Sequence, residues 1–179
     1  MRRDAVERRA RLLDAAETEF TQRGINIPLE SVAERAGVGI GTFYRNFPDR
    51  QALLDALLDR SLARMENQLI DDEKAKSVYD LIEHIAESLV MSPVLSEYWR
   101  STGKTQEAAN LARDRFIRIA DRCLKAEPNE GHLRSDIVAE DFLLISSMLG
   151  GILCGRDMKE REKIKERVLS FLYTGILKE

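Results

Sequence analysis

The chain has 179 residues, 44% of them apolar and 33% charged, with a formal net charge of −3. That length suits one well-buried domain, or a small domain continuous with a larger one, and the composition excludes a disordered chain and a polycation. Residues 1–50 carry nine Arg against eight acidic residues, whereas residues 51–179 carry nineteen basic and twenty-three acidic ones, so a polyanion would meet the N-terminal end or not at all.

Helical periodicity runs through almost the whole chain and strand-like alternation is scarce. Leu13, Ala16 and Phe20 form a stripe between Asp4 and Arg23, and Gly24 ends that helix. Leu29, Val32, Ala33 and Ala36 make a second, short stripe, entered at Pro28 and ended by Gly37. Thr42 to Asn46 reads as a third short helix, closed by Pro48. A long amphipathic helix follows from Leu53 to Leu69, then one from Val78 to Leu89 that ends near Ser92-Pro93. A short piece holds Tyr98 and Trp99, Gly103 interrupts, and a further helix gathers Ala108, Leu111, Phe116, Ile119 and Cys123. Glu127 to Asp136 is a loop by its Pro, Asn, Gly and Ser content. In the next helix, from Asp141 through Phe142 to Gly155, apolar residues surround the axis, so it must be covered on more than one side. The last helix carries Ile164, Val168, Leu169, Phe171, Leu172, Ile176 and Leu177 between Glu162 and the C-terminal end. The expected fold is all-α, with about nine helices: a compact trio over residues 1–50 and a larger bundle over 51–179.

The stretch Ala36 to Arg50, "AGVGIGTFYRNFPDR", poses the functional question. A dinucleotide-binding loop needs G-x-G-x-x-G after a strand, and a P-loop needs a terminal Gly-Lys-Ser/Thr; the spacing here is G-x-G-x-G after a helix, with no lysine. Two short helices joined by a Gly-containing turn make a helix-turn-helix, whose second helix enters the DNA major groove. Gly39 and Gly41 would let the backbone approach a surface closely, and Thr42 could reach a base edge or phosphate. Tyr44 and Asn46 could donate to phosphate, and Arg45 and Arg50 add charge, while Phe43 and Phe47 would pack inward. An ordinary tight corner with a surface tyrosine is the plainer alternative.

At these residues the chain resembles the TetR family of one-component transcriptional regulators. The likeness lies in "LESVAERAGVGIGTFYRNFPDRQALLDALL", Leu29 to Leu58, and in "LLDAAETEFTQRG" before it. It departs at Gly39, where the family often has a capping Ser, and at Ile40, where a polar or basic residue is usual; Ile40 could touch a thymine methyl but donates nothing to a base. The resemblance implies a homodimeric regulator, expected to be a repressor, that binds a pseudo-palindromic double-stranded operator and is released by a small apolar or aromatic effector. It implies an effector pocket within the bundle, for which Met91, Tyr98, Trp99, Phe116, Ile145 and Met148 are the candidates, and a dimer interface on the last two helices. Leu149, Ile152, Leu153, Val168 and Leu172 are the interface candidates, and Gly150-Gly151 would admit close helix approach.

The residues of the bundle offer no catalytic constellation. His84 and His132 are far apart, no H-E-x-x-H or C-x-x-C occurs, and Ser146-Ser147 has no neighbouring base. Cys123 and Cys154 read as core fillers, and neither a metal nor a cofactor is expected. The charged start lacks an apolar signal segment, and the longest uncharged run, Phe142 to Gly155, is too short to span a bilayer, so a cytoplasmic protein with no membrane partner is expected. Two rivals remain from other classes: a helical enzyme or carrier whose N-terminal trio is only structural, and a membrane-surface protein using its Arg-rich first helix.

Overall fold

Two glycines set the first corners of the chain. Gly24, at φ +83°, donates to the Phe20 carbonyl and ends α1 (Arg2–Arg23). Gly37, at φ +67°, ends α2 (Leu29–Arg35): its N–H reaches the Glu34 carbonyl while the N–H of Val38 reaches that of Ala33, a Schellman closure with Val38 tucked against the neighbouring apolar core. The Gly39 carbonyl accepts from Thr42 and Phe43 to start α3 (Ile40–Asn46), and the Asp49 carboxylate caps α4 (Arg50–Leu69) by accepting from Ala52 N–H.

The protein, seen here as a computed structural model, is described over residues 2–71, 74–92, 107–127, 133–153 and 156–176. After α4, Ile70–Asp71 and Lys74–Ala75 pair as a two-residue antiparallel hairpin, which the helical periodicity does not anticipate. A Ser77–Asp80 capping box then opens α5 (Val78–Met91). Glu107–Ala126 forms α6, Asp141–Leu153 forms α7 and Met158–Ile176 forms α8. The described residues therefore hold eight helices, and the all-α expectation stands; the piece with Tyr98 and Trp99 lies outside them.

Two apolar cores result. Leu12, Ala16 and Phe20 of α1, Val32 of α2, and Phe43 with Phe47 close the first. The second joins α5, α6, α7 and α8 around Leu81, Ile85, Phe116, Phe142 and Leu149. Helix α4 belongs to both, because Leu53 and Leu57 fill the first while Leu58, Leu62, Met65 and Leu69 fill the second. The division at residue 50 thus cuts the chain but not the packing. Charge reinforces the junction: Arg60 of α4 reaches Asp14 at 2.6 Å and Glu17 at 2.8 Å on α1, and Arg64 reaches Glu17 at 2.9 Å.

Candidate nucleic-acid interface

Helix α3 has an inner and an outer face, and its seven residues divide cleanly. Phe43 and the following Phe47 are wholly buried, their rings 5.9 Å apart, and fix the tilt of α3 on α1 and α2. Gly39, Ile40, Gly41, Tyr44 and Arg45 are exposed, the spacing of a single helical face. The Tyr44 ring stands edge-on to Phe43 at 5.5 Å and 88°, so its hydroxyl is held outward on a rigid support. Arg45 donates to the Thr42 hydroxyl at 2.8 Å, which draws a cation and a hydroxyl together at the surface.

Gly39 serves as the N-cap of α3, and neither it nor Gly41 is required by close packing inside the protein. A Cβ at Gly39 or Gly41 would meet no atom within 4 Å, and neither residue has a positive φ. Gly in a helix costs roughly 1 kcal/mol relative to Ala. At Gly41 that cost is not offset by any contact within the described residues.

Three polar side chains are deployed differently from the sequence-based expectation. Arg50 donates to the Ile25 carbonyl and to the Ile27 carbonyl at 2.5 Å, with its guanidinium 5.9 Å from the Phe20 ring centre. It braces the α1–α2 loop, so the expected phosphate role gives way to a structural one. Asn46 is half-buried and spends its amide on the Thr42 carbonyl at 2.8 Å, which also removes it from the outer face. Arg9, which the sequence offers only as part of a basic run, closes the C-terminal end of α3: it donates to the Asn46 carbonyl and lies 4.4 Å over the Phe47 ring. Beneath the trio, Glu19 is almost fully buried between Arg35 at 2.5 Å and Arg23 at 3.0 Å. The Arg35 hydrogen bond, foremost, holds its carboxyl below the usual range.

Among the described residues, the effector candidates do not converge. Phe116 and Ile145 are buried in the second core, Met91 is exposed at the end of α5, and Met148 is exposed on α7; Tyr98 and Trp99 lie outside the described residues. Met148 is corrected from a pocket residue to a surface one, at 58% exposure. Space of ligand size, about 550 Å³, instead lies between α1, α4 and α5, with Met91 on its margin.

The interface candidates divide as well. Leu149 and Leu153 are wholly buried within the chain and are corrected to core residues, since α7 turns them toward α5. Val168 and Leu172 are half-buried against the same core. Ile152 remains outward, in line with Leu144 and Met148 at helical spacing, and Phe171 of α8 is 60% exposed. The Cys123 thiol is buried, which pushes it up to about 11 and leaves it inert at neutral pH. His84 is held below the ordinary imidazole value of 6.5, by burial foremost. Among the described residues no group of three or more His, Cys, Asp or Glu could hold a metal ion, and no helix is long and apolar enough to cross a membrane.

Residues 12–57 match the family model described as bacterial regulatory proteins, tetR family. The HTH-type transcriptional regulators SAB2452 and SAUSA300_2515 of Staphylococcus aureus (strains bovine RF122 / ET3-1 and USA300) are 38% identical over 63 residues, 35% of this chain. The matched part spans about a third (34%) of the length of these relatives. Over nearly the whole chain, the fold is similar to solved structures. A TetR transcription regulatory protein from Mycobacterium vanbaalenii matches with TM-score 0.55 at 25% identity, covering 98% of each chain. CprB from Streptomyces coelicolor, solved in complex with its biological operator sequence, matches with TM-score 0.62 at 23% identity, covering 97% of this chain and 90% of that one.

Proposed function

We propose, from the match of residues 12–57 to the tetR family model, that this chain is a DNA-binding transcriptional regulator, acting as a homodimeric repressor whose operator affinity is set by a small molecule. The observation that carries the reading is the outer face of α3: Tyr44 and Arg45 beside two glycines that internal packing does not require. In the major groove, Gly39 and Gly41 would admit the phosphate backbone closely, Tyr44 would donate to phosphate, and the Arg45–Thr42 pair would read a base edge. Ile40, exposed on the same face, suits a thymine methyl. Control follows from linkage: an effector that prefers a spacing of the two reading helices unable to fit both half-sites lowers operator affinity by its preference for that state.

The exposed row Leu144, Met148 and Ile152, together with exposed Phe171 on α8, supports the dimer, because a row of that kind is what a second copy would cover. A gel mobility shift with the DNA flanking the protein's own gene, run across a salt series, tests the whole reading. A regulator gives a discrete complex whose affinity falls steeply with salt. A protein using its trio only as structure, or as a membrane anchor, gives no sequence-dependent complex at any salt concentration.

A further inference from the structure

The cleft between α1, α4 and α5 differs in chemistry from the apolar pocket that the resemblance implies. Its walls carry Thr18, Thr21 and Gln22 from α1, and Ser61, Arg64 and Gln68 from α4. His84, Glu87 and Ser88 add a third wall from α5, and Leu57 and Met91 are the apolar members. Its volume, about 550 Å³, lies within the usual range for small-molecule sites. Behind Ser61 and Ser88 a second space, bounded by Met65, Phe116 and Ser146, measures only about 20 Å³, room for one water. Of these two spaces that share the two serines, the outer one has ligand size.

The charges in the cleft nearly cancel. Arg64 is spent on Glu17 at 2.9 Å, which leaves Glu87 and an imidazole that burial keeps neutral near pH 7. An anion would compete with Glu17 for Arg64, and a cation would find a single free-standing carboxylate. What the cleft offers in number is neutral hydroxyls and amides. The side chains of Ser61, Gln68 and Ser88 make no hydrogen bond to another described residue. Thr18 and Thr21 donate to the Asp14 and Met91 carbonyls and keep their lone pairs to accept. An apolar ligand here would desolvate those groups without replacing their hydrogen bonds, at a cost for each.

We propose that this cleft is the effector site and that it takes a neutral, hydroxyl-rich molecule of mono- to disaccharide size. The assignment rests on the reading of the chain as an effector-controlled regulator and replaces the apolar or aromatic effector in it. The placement supplies the control. The cleft spans α1 of the trio and the two helices α4 and α5 behind it, where Thr21 of α1 already reaches the Met91 carbonyl of α5 at 3.4 Å. A ligand bonded to Gln22 on one wall and to Gln68 or Ser88 on the others adds ties across the same junction and fixes the trio on the bundle.

The test uses the full chain without DNA. Glucose, galactose, sucrose, lactose and myo-inositol are titrated calorimetrically beside benzoate and octanoate, and the His84 ring signals are followed by NMR. A sugar or polyol is expected to bind and to shift the His84 signals. Ser88→Leu and Gln68→Leu should each weaken it about tenfold or more, the loss of one to two buried hydrogen bonds, while Ser88→Thr retains it. The proposal is overturned if no sugar or polyol binds, if only the apolar acids bind, or if binding survives both leucine substitutions with the His84 signals unmoved. Operator binding, measured separately, keeps the two readings apart. Sugar binding without any DNA complex removes the regulator and leaves the site; a DNA complex without sugar binding does the reverse.

Discussion

A glycine at position 41 costs α3 roughly 0.5–1 kcal/mol relative to alanine, and a Cβ there would stand in open space. Gly41→Ala should therefore raise the melting temperature while weakening the DNA complex, since the methyl group meets only the DNA. Thermal unfolding and mobility shift on the same sample check both signs; a variant that is more stable and binds unchanged would remove Gly41 from the interface. Arg45 and Arg50, five residues apart, make the opposite contrast. Arg50→Ala strands the Ile25 and Ile27 carbonyls and should cost roughly 1–3 kcal/mol of stability. Arg45→Ala should leave stability alone and cost roughly 1–3 kcal/mol of discrimination at particular base pairs, read in a base-preference profile. The inward Phe43 and Phe47 were legible from helical spacing alone. The fate of Arg50 was not, because its acceptors lie 25 and 23 residues earlier in a loop whose path is set by tertiary packing.

At the scale of elements, α4 decides how the molecule divides. Its Leu53 and Leu57 complete the core of the trio, so residues 1–50 alone lack two side chains of their own interior. A fragment ending at residue 50 should be largely unfolded by circular dichroism, and one ending at Leu69 markedly more helical. In the full chain, Leu53→Ala should cost roughly 2–5 kcal/mol in denaturant unfolding. The stripe through Leu53, Leu57, Leu58 and Leu62 was readable in the sequence; that it serves two cores was not, because periodicity shows which face is buried and not what buries it. The same limit hid the Arg60 and Arg64 ties to α1, which join residues more than forty positions apart. His84, on α5, adds a pH dependence. Its folded-state value lies below its unfolded one, so the unfolded chain takes the proton first. The contribution to stability is complete above about pH 6.5 and is lost as pH falls below it. Between about pH 7 and 5, wild type should lose more stability than His84→Gln, measured by urea unfolding at each pH.

For the whole molecule, the exposed apolar row on α7 raises a question of assembly. Leu144, Met148 and Ile152 recur every four residues and stay outside the core, at 63%, 58% and 39% exposure, while Leu149 and Leu153 on the same helix are fully inside. Sequence alone showed that the helix is apolar all round, and thus covered on two sides; only the fold tells which residues each side takes. Gly151 has open space at its Cβ, so a second helix could lie close along that row. Two-fold pairing there would set the distance between the two α3 helices, the quantity that operator half-sites select. The two faces of α7 can be separated by charge. Met148→Glu should yield a folded monomer, because a carboxylate that would be buried between copies is solvated once they part. Leu149→Glu should yield misfolded or insoluble protein, because its carboxylate is buried within the chain itself and has no partner. Sedimentation and circular dichroism distinguish the outcomes. Wild type running as a 20.4 kDa monomer at micromolar concentration would refute the dimer, and a dimeric Met148→Glu would move the interface off this row. If the row holds the copies together, Met148→Glu should also lose most of its operator affinity with α3 intact, because a monomer engages one half-site and forgoes the second as an intramolecular contact.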